Sequence, residues 1–279
     1  MIAYSVLLTL IFISPLARLM MHAGESDLHS HIVLVPFIAG YLLYERRSTL
    51  PAAGPRSLRG ASSLAAVGLG ALLAAFLWRG TLSSNDHLGV LALAYVCLLA
   101  AGGFFFQGRR WMAAAAFPFA FLLFLVPLPD AVVHRLELAS MVASAEAAAM
   151  YFSLAGTPLV REGTVFELPT ITLRVAQECS GIRSSWVLFI TSILASNLFL
   201  KTAWRRLVLV LFVIPLGILR NGFRVFVLGM LCVHIGPHMI DTAIHHQGGP
   251  LFFVLSLGPL FLLLWWLRSR ERRADAAAP

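Results

Sequence analysis

Eight stretches of this sequence, at about residues 2–21, 28–44, 61–78, 88–106, 111–127, 184–200, 207–231 and 245–267, run on with almost no charge. A helix of about 20 apolar residues spans the hydrocarbon core of a bilayer. In lipid, a helix satisfies all of its backbone polar groups internally. The expectation is therefore an all-α polytopic membrane protein with about eight transmembrane helices. Composition agrees, because only 12% of the residues are charged, against roughly 25% in soluble domains. The apolar run from Met1 to Leu16 lacks a basic n-region and a small-residue cleavage site, and is read as the first span. Residues 1–267 are expected to form one transmembrane domain, and 268–279 a basic tail.

The net charge of +8 is not read as a nucleic-acid footprint. Its sources are short clusters between apolar runs: Arg46, Arg47, Arg56 and Arg59; Arg109 and Arg110; Lys201, Arg205 and Arg206; and Arg268, Arg270, Arg272 and Arg273. With eight spans all of these fall on one side, with both termini, and that side is the cytoplasm. Residues 22–27, 79–87, 128–183 and 232–244 then face outward.

Asp130–Ala155 reads as a helix of mixed polarity, carrying His134, Arg135, Glu137 and Glu146. As a further span it would invert everything after it. It is therefore expected at the outer interface, with Ala139, Ser140, Ala143, Ser144 and Ala147 suited to close packing. Leu159–Ala176 alternates as strands do and predicts a β-hairpin of two short strands joined near Pro169 and Thr170.

Ionisable residues within such a protein are functional candidates. Cys97 and Cys232 lie in apolar runs, as small buried hydrophobes do. Cys179 differs, in Glu178-Cys179-Ser180-Gly181-Ile182-Arg183 at the entry to a span. A helix N-terminus and a nearby arginine both favour a thiolate, although an inert thiol at a helix entry fits this local pattern too. Arg220, Asn221 and Arg224 stud the seventh span, with Arg224 about 25 Å above Leu207 and so level with Cys179, and Arg220 a turn deeper. Snorkelling to headgroups accounts for one arginine but poorly for two with an asparagine. His245 and His246 open the eighth span on the outer side; adjacent helical residues point about 100° apart, so one of the two faces the bundle. His29 and His31, with these histidines, make a weak metal set; no metal and no cofactor are expected. Cysteine, histidine and arginine at one outer boundary suit acyl transfer.

At these residues the chain resembles the exosortase/archaeosortase family. Cys-Ser-Gly-Ile at 179–182, Asn-x-x-Arg at 221–224 and His-x-x-Gly-Gly at 245–249 match the family's three catalytic motifs in order. The third begins with His, as in bacterial exosortases, where archaeal members have Arg. Ser30–Pro36, Val126-Pro127-Leu128-Pro129 and Arg161-Glu162-Gly163 extend the likeness over most of the chain. It departs from the family at Gln177 and Glu178, where Glu commonly stands two before the cysteine, and at Pro250, where an aromatic is common. The resemblance implies a PEP-CTERM-type sorting enzyme of the inner membrane, often found alongside exopolysaccharide production. Its substrates are proteins with a C-terminal short motif, transmembrane helix and basic tail. Cys179 is then the nucleophile, Arg224 the electrostatic stabiliser and His245 the base, with Arg220, Asn221, His246, Arg183 and Glu178 in support. The expected partners are membrane lipids and these substrate proteins, not nucleic acid.

Two other readings share the residues. A transporter or assembly subunit would use the arginines to bind anionic groups, but should place polar residues at mid-membrane and show related halves, which this sequence does not. A lipid-modifying acyltransferase shares the thiol chemistry with another substrate.

Overall fold

A computed structural model describes residues 1–26, 28–169, 171–175, 181–236, 238–239 and 249–277. It divides into two compact units, Met1–Val133 and His134–Pro279.

The first unit is organised along α5 (Ser84–Phe106), whose first turn is capped by the Ser83 hydroxyl accepting from the Asp86 N–H. At 1.5 Å per residue it is about 34 Å long, enough for the apolar core of a bilayer. α4 (Leu58–Leu77) runs antiparallel to it, with Gly60 against Phe104 and Gly68 against Leu98. The first expected span is two helices, α1 (Ile2–Ile11) and α2 (Ile13–Glu25), bent by 71°. The pair still follows α5 from end to end. The Tyr4 ring meets Phe106 at 5.5 Å, Phe12 meets Tyr95 at 5.5 Å, and His22 Nε2 lies 3.2 Å from Asn85 Oδ1.

The stretch 111–127 is likewise bent, by 70°, between α6 (Gly108–Ala114) and α7 (Ala116–Phe121) with its 3₁₀ continuation to Leu125. It too runs along α5. Met112 lies against Gly103, and Asn85 Nδ2 donates to the Leu128 carbonyl and to Asp130 Oδ1, each at 2.8 Å. The stretch 28–44 departs furthest from expectation. It forms a short 3₁₀ turn, Ser30–Val33, and α3, Val35–Glu45, an eleven-residue helix only about 16 Å long. Among the described residues five helices are long and apolar enough to cross a membrane, or seven if each bent pair is one span, rather than eight.

These pairings sort the charges of the first unit. Arg56 and Arg59 flank the end where Gly54 and Ser57 donate backbone bonds to Gln107 and Phe104, which is also the end of Arg109 and Arg110. His22, His29, Asn85, Asp86 and Asp130 gather at the opposite end.

In the second unit, α8 (Asp130–Leu154) is one continuous helix, as the sequence suggests, and is not among the span candidates. Ser144 and Ala147 are buried as expected, whereas Ala139 is exposed. The strand region is a three-stranded antiparallel sheet rather than a hairpin: β1 (Val160–Glu162), β2 (Val165–Glu167) and β3 (Thr172–Arg174), in that order. The extra turn is at Gly163, whose φ of +60° suits a glycine opening a two-residue hairpin loop. Pro169 lies in the second connection, as expected.

Then follow α9 (Ile182–Phe199), α10 (Ala203–His234) and α11 (Gly249–Ala277). Leu188, Leu209, Val213, Leu260, Leu264 and Leu267 form the core between them. The basic stretch that begins at Arg268 continues α11 as far as Ala277. Its Glu271 is 5% exposed and accepts the backbone N–H groups of Lys201 and Thr202 at 3.0 and 2.8 Å, with Arg205 at 3.4 Å. A carboxylate at the entry to a helix satisfies donors that the helix cannot.

Candidate active site

The site is built where α9 begins. α9 and α10 pack antiparallel through two glycines that leave no room for a side chain. A Cβ on Gly217 would lie 2.7 Å from Ser185 Oγ, and one on Gly181 would lie 2.7 Å from Asn221 Oδ1. Gly181 is also the helix N-cap, at φ +72°, a conformation costly for any residue with a Cβ.

Its carbonyl oxygen is shared by three donors: Ser185 N at 3.0 Å, Ser184 Oγ at 3.2 Å and Arg220 Nη2 at 3.1 Å. The same Nη2 also donates to Ser185 Oγ at 3.1 Å. Arg220 is 7% exposed and Asn221 2%. Gly217, Asn221 and Arg224 recur at helical spacing along the face of α10 that meets α9. Arg220, read from sequence as a deeper accessory, is the arginine bonded to the α9 entry. Arg224, half-buried, follows one turn further along α10. Arg183 is exposed on the first turn of α9.

On the other flank α8 reaches α10 at Gly222, where a Cβ would lie 2.5 Å from that of Ala147. The inner face of the sheet (Phe166, Leu173) and the neighbouring Leu168 and Val175 pack with Ala145, Ala148 and Phe152 of α8. Arg161 binds the sheet to α8. Nη1 and Nη2 donate to the two Glu146 carboxylate oxygens at 2.9 and 2.6 Å, and Nε to the Gly163 carbonyl at 2.7 Å. This bidentate pair holds the Glu146 carboxyl below the usual carboxylate range. Val175, 2% exposed, also donates its N–H to the Thr164 carbonyl at 3.0 Å.

Cys179, Glu178, His245 and His246 lie outside the described residues. Cys97 and Cys232 are buried in helices, as their apolar runs imply. His29 is 6% exposed and bonded through Nδ1 to Ser26 Oγ at 3.1 Å. Among the described residues no group of three His, Cys, Asp or Glu is placed to hold a metal ion.

Sequence reasoning missed Ser185 and Gly217, which have no chemistry of their own. The signal was available only as spacing: Gly217 four residues before Asn221, and Gly181 four before Ser185, register two antiparallel helices.

No curated protein and no solved structure matches the chain. The model of the transmembrane exosortase family matches residues 23–262, taking in the α9 entry, the Asn-x-x-Arg face of α10 and the start of α11, and the chain belongs to that family.

Proposed function

We propose that this exosortase is a membrane-embedded cysteine peptidase or transpeptidase. It cleaves C-terminal sorting signals (short motif, transmembrane helix, basic tail) on the outer side of the cytoplasmic membrane. The observation that carries the reading is the bond between Gly181 and Arg220. It joins Gly181 of the cysteine motif to the residue just before the arginine motif, two stretches far apart in sequence. Cys179 stands two residues before Gly181 in the sequence. Arg224 follows Asn221 one turn further along α10.

The chemistry is acyl transfer. His245 takes the thiol proton of Cys179, and the thiolate attacks the scissile carbonyl carbon. The oxyanion so formed is stabilised by the Arg224 guanidinium. The tetrahedral intermediate collapses to a thioester as the leaving amine takes the proton from the imidazolium. Water or an amine acceptor then releases the acyl group.

Charge supports the orientation. The arginine-rich end of the first unit and the end of the second unit holding Lys201, Arg205 and the α11 arginines suit the cytoplasm. Gly181 is at the far end of α9 from Lys201. Exposed apolar side chains such as Phe37, Phe76 and Trp265 suit contact with lipid.

The test uses a substrate carrying such a signal, expressed with the protein in intact cells. Cys179→Ala and Cys179→Ser leave the substrate at its uncleaved size on a blot, while Cys97→Ala and Cys232→Ala process it. A membrane-impermeant thiol reagent applied from outside labels Cys179. Normal maturation by Cys179→Ala defeats the peptidase reading and favours a non-enzymatic transport or assembly role.

A further inference from the structure

In the first unit, α4 and α5 enclose a cavity of about 560 Å³ at the end where Arg56 and Arg59 lie. Sites for small organic ligands measure about 300–1,000 Å³. Its walls are the small residues Ala61, Ser62 and Ala65 of α4 and Ala101 and Gly102 of α5, with the Tyr4 ring on one side. Tyr4 packs on Gly102, where a Cβ would collide with the ring, and its hydroxyl already donates to the Leu98 carbonyl at 2.9 Å. Leu58 and Phe106 at the rim are 65% and 41% exposed, so the cavity opens on the outside of the protein. An apolar recess that opens between two helices of membrane-spanning length faces acyl chains. Its mouth is cationic. Arg59 lines it and is exposed. The Arg56 guanidinium lies 4.8 Å from the centroid of Phe105, another lining ring. The loop that carries Arg56 is fixed there by the Gly54 and Ser57 N–H groups, which donate to the Gln107 and Phe104 carbonyls at 3.0 and 3.1 Å. Arg109 and Arg110 follow directly in the first turn of α6. None of these arginines belongs to a described ion pair. Of the described acids of this unit, Glu25, Asp86 and Asp130 belong to the opposite end, and Glu45 closes α3 beside Arg46 and Arg47.

We propose that this recess binds one anionic phospholipid, with an acyl chain in the cavity and the phosphate held by Arg56 and Arg59. Guanidinium groups meet phosphate oxygens through charge-assisted bonds in a planar fork. Both halves are needed. An arginine that only snorkels to headgroups needs no cavity, and a cavity without arginines accepts any acyl chain. A zwitterionic lipid offers the same phosphate but brings its own cation into a cluster of arginines, which disfavours it. The arginine-rich end suits the cytoplasmic leaflet, where anionic headgroups attract basic pockets between helices. The site lies wholly within the first unit and does not rest on the reading of Cys179.

The experiment follows thermal unfolding of the full chain in detergent, titrated with phosphatidylglycerol. A ligand of the native state raises the unfolding temperature with its concentration. Phosphatidylcholine with the same acyl chains, and inorganic phosphate alone, are expected to need at least about tenfold more for the same rise. Arg59→Gln loses charge-assisted bonds and raises the half-saturating concentration of phosphatidylglycerol by about tenfold. Ser62→Phe and Ala65→Leu fill the cavity with the arginines in place, and weaken the response as much. Ser62 is exposed, so a failure of Ala65→Leu to fold, read from its unfolding temperature without lipid, leaves Ser62→Phe to decide. Arg79→Gln, at an exposed arginine just past the other end of α4, leaves the response unchanged. Equal half-saturation by phosphatidylcholine overturns the proposal, and so does a response to inorganic phosphate that matches the lipid. A full response in Arg59→Gln or in Ser62→Phe overturns it too. A loss in Arg79→Gln equal to that in Arg59→Gln makes the effect one of overall charge and overturns the site. None of these outcomes bears on the peptidase reading, which the Cys179 variants test separately.

Discussion

The guanidinium of Arg220 and the carbonyl oxygen of Gly181, 3.1 Å apart, join the seventh apolar stretch of this sequence to the entry of the sixth. Neither residue can be exchanged freely, because Gly181 combines φ +72° with the packing of Asn221 against its Cα.

Gly181→Ala is accordingly expected to lower processing more than tenfold. The left-handed conformation costs about 1–2 kcal/mol, and the added methyl must push Asn221 away. Adding Asn221→Ala relieves the collision but not the backbone cost, and recovers only part of the rate on a cleavage time course. Full activity in Gly181→Ala would show that the α9 entry is not fixed as described.

Arg224 tests the arginine motif. Arg224→Lys keeps the charge and loses the fork, and is expected to reduce cleavage by more than tenfold at normal protein levels. Arg224→Ala with activity comparable to the unsubstituted protein rejects a catalytic role.

Glu271→Ala removes the acceptor for two backbone donors and the partner of Arg205. Hydrogen bonds to a buried carboxylate contribute about 1.5–3 kcal/mol, so the unfolding temperature in detergent falls by roughly 4–10 °C. Asp275→Asn, at a pair whose side chains are 83% and 61% exposed, changes it little. Equal falls in the two variants contradict the difference in burial.

Glu146 gives a dependence on pH. Its folded value lies below the ordinary value of 4.5, held down by the hydrogen bonds from Arg161. The pair therefore contributes fully above that ordinary value, and its contribution is lost as pH falls through the folded one. Glu146→Gln removes the dependence, so parent and variant differ most in thermal stability at neutral pH and converge in acid. Because Glu146 is solvent-exposed, the difference is small and shrinks further in high salt. A gap that widens on acidification contradicts the sign.

Much of the fold was legible because lipid imposes one period and one length on most of the chain. α4, α5, α9 and α10 coincide with their apolar runs to within a few residues. The bends in the first and fifth runs were hidden, since hydropathy does not sense direction. The short α3 was hidden because its apolar residues continue through a 3₁₀ turn. The third strand needed Gly163 to be read as a turn rather than a strand residue. In the candidate site, Arg220, Asn221 and Arg224 were visible as polar residues of an apolar run, but their depth was not. Rise per residue placed Arg224 beside the cysteine motif and Arg220 below it, whereas the bond to Gly181 depends on how far α9 extends along α10. Glu271 looked like one more polar residue of a tail, although a single acid among four arginines marks a position with its own partner.

The clasp of Glu271 has a consequence for biosynthesis. The turn that opens α10 receives its carboxylate from a residue 70 positions later. At about 5–20 residues per second, some 4–14 seconds separate the synthesis of Lys201 from that of Glu271. During that interval the α9–α10 pair must enter the membrane with the donors of that turn left to water or headgroups. The second unit is therefore completed from its last helix backward, and shortening α11 before Glu271 strands an element made well upstream.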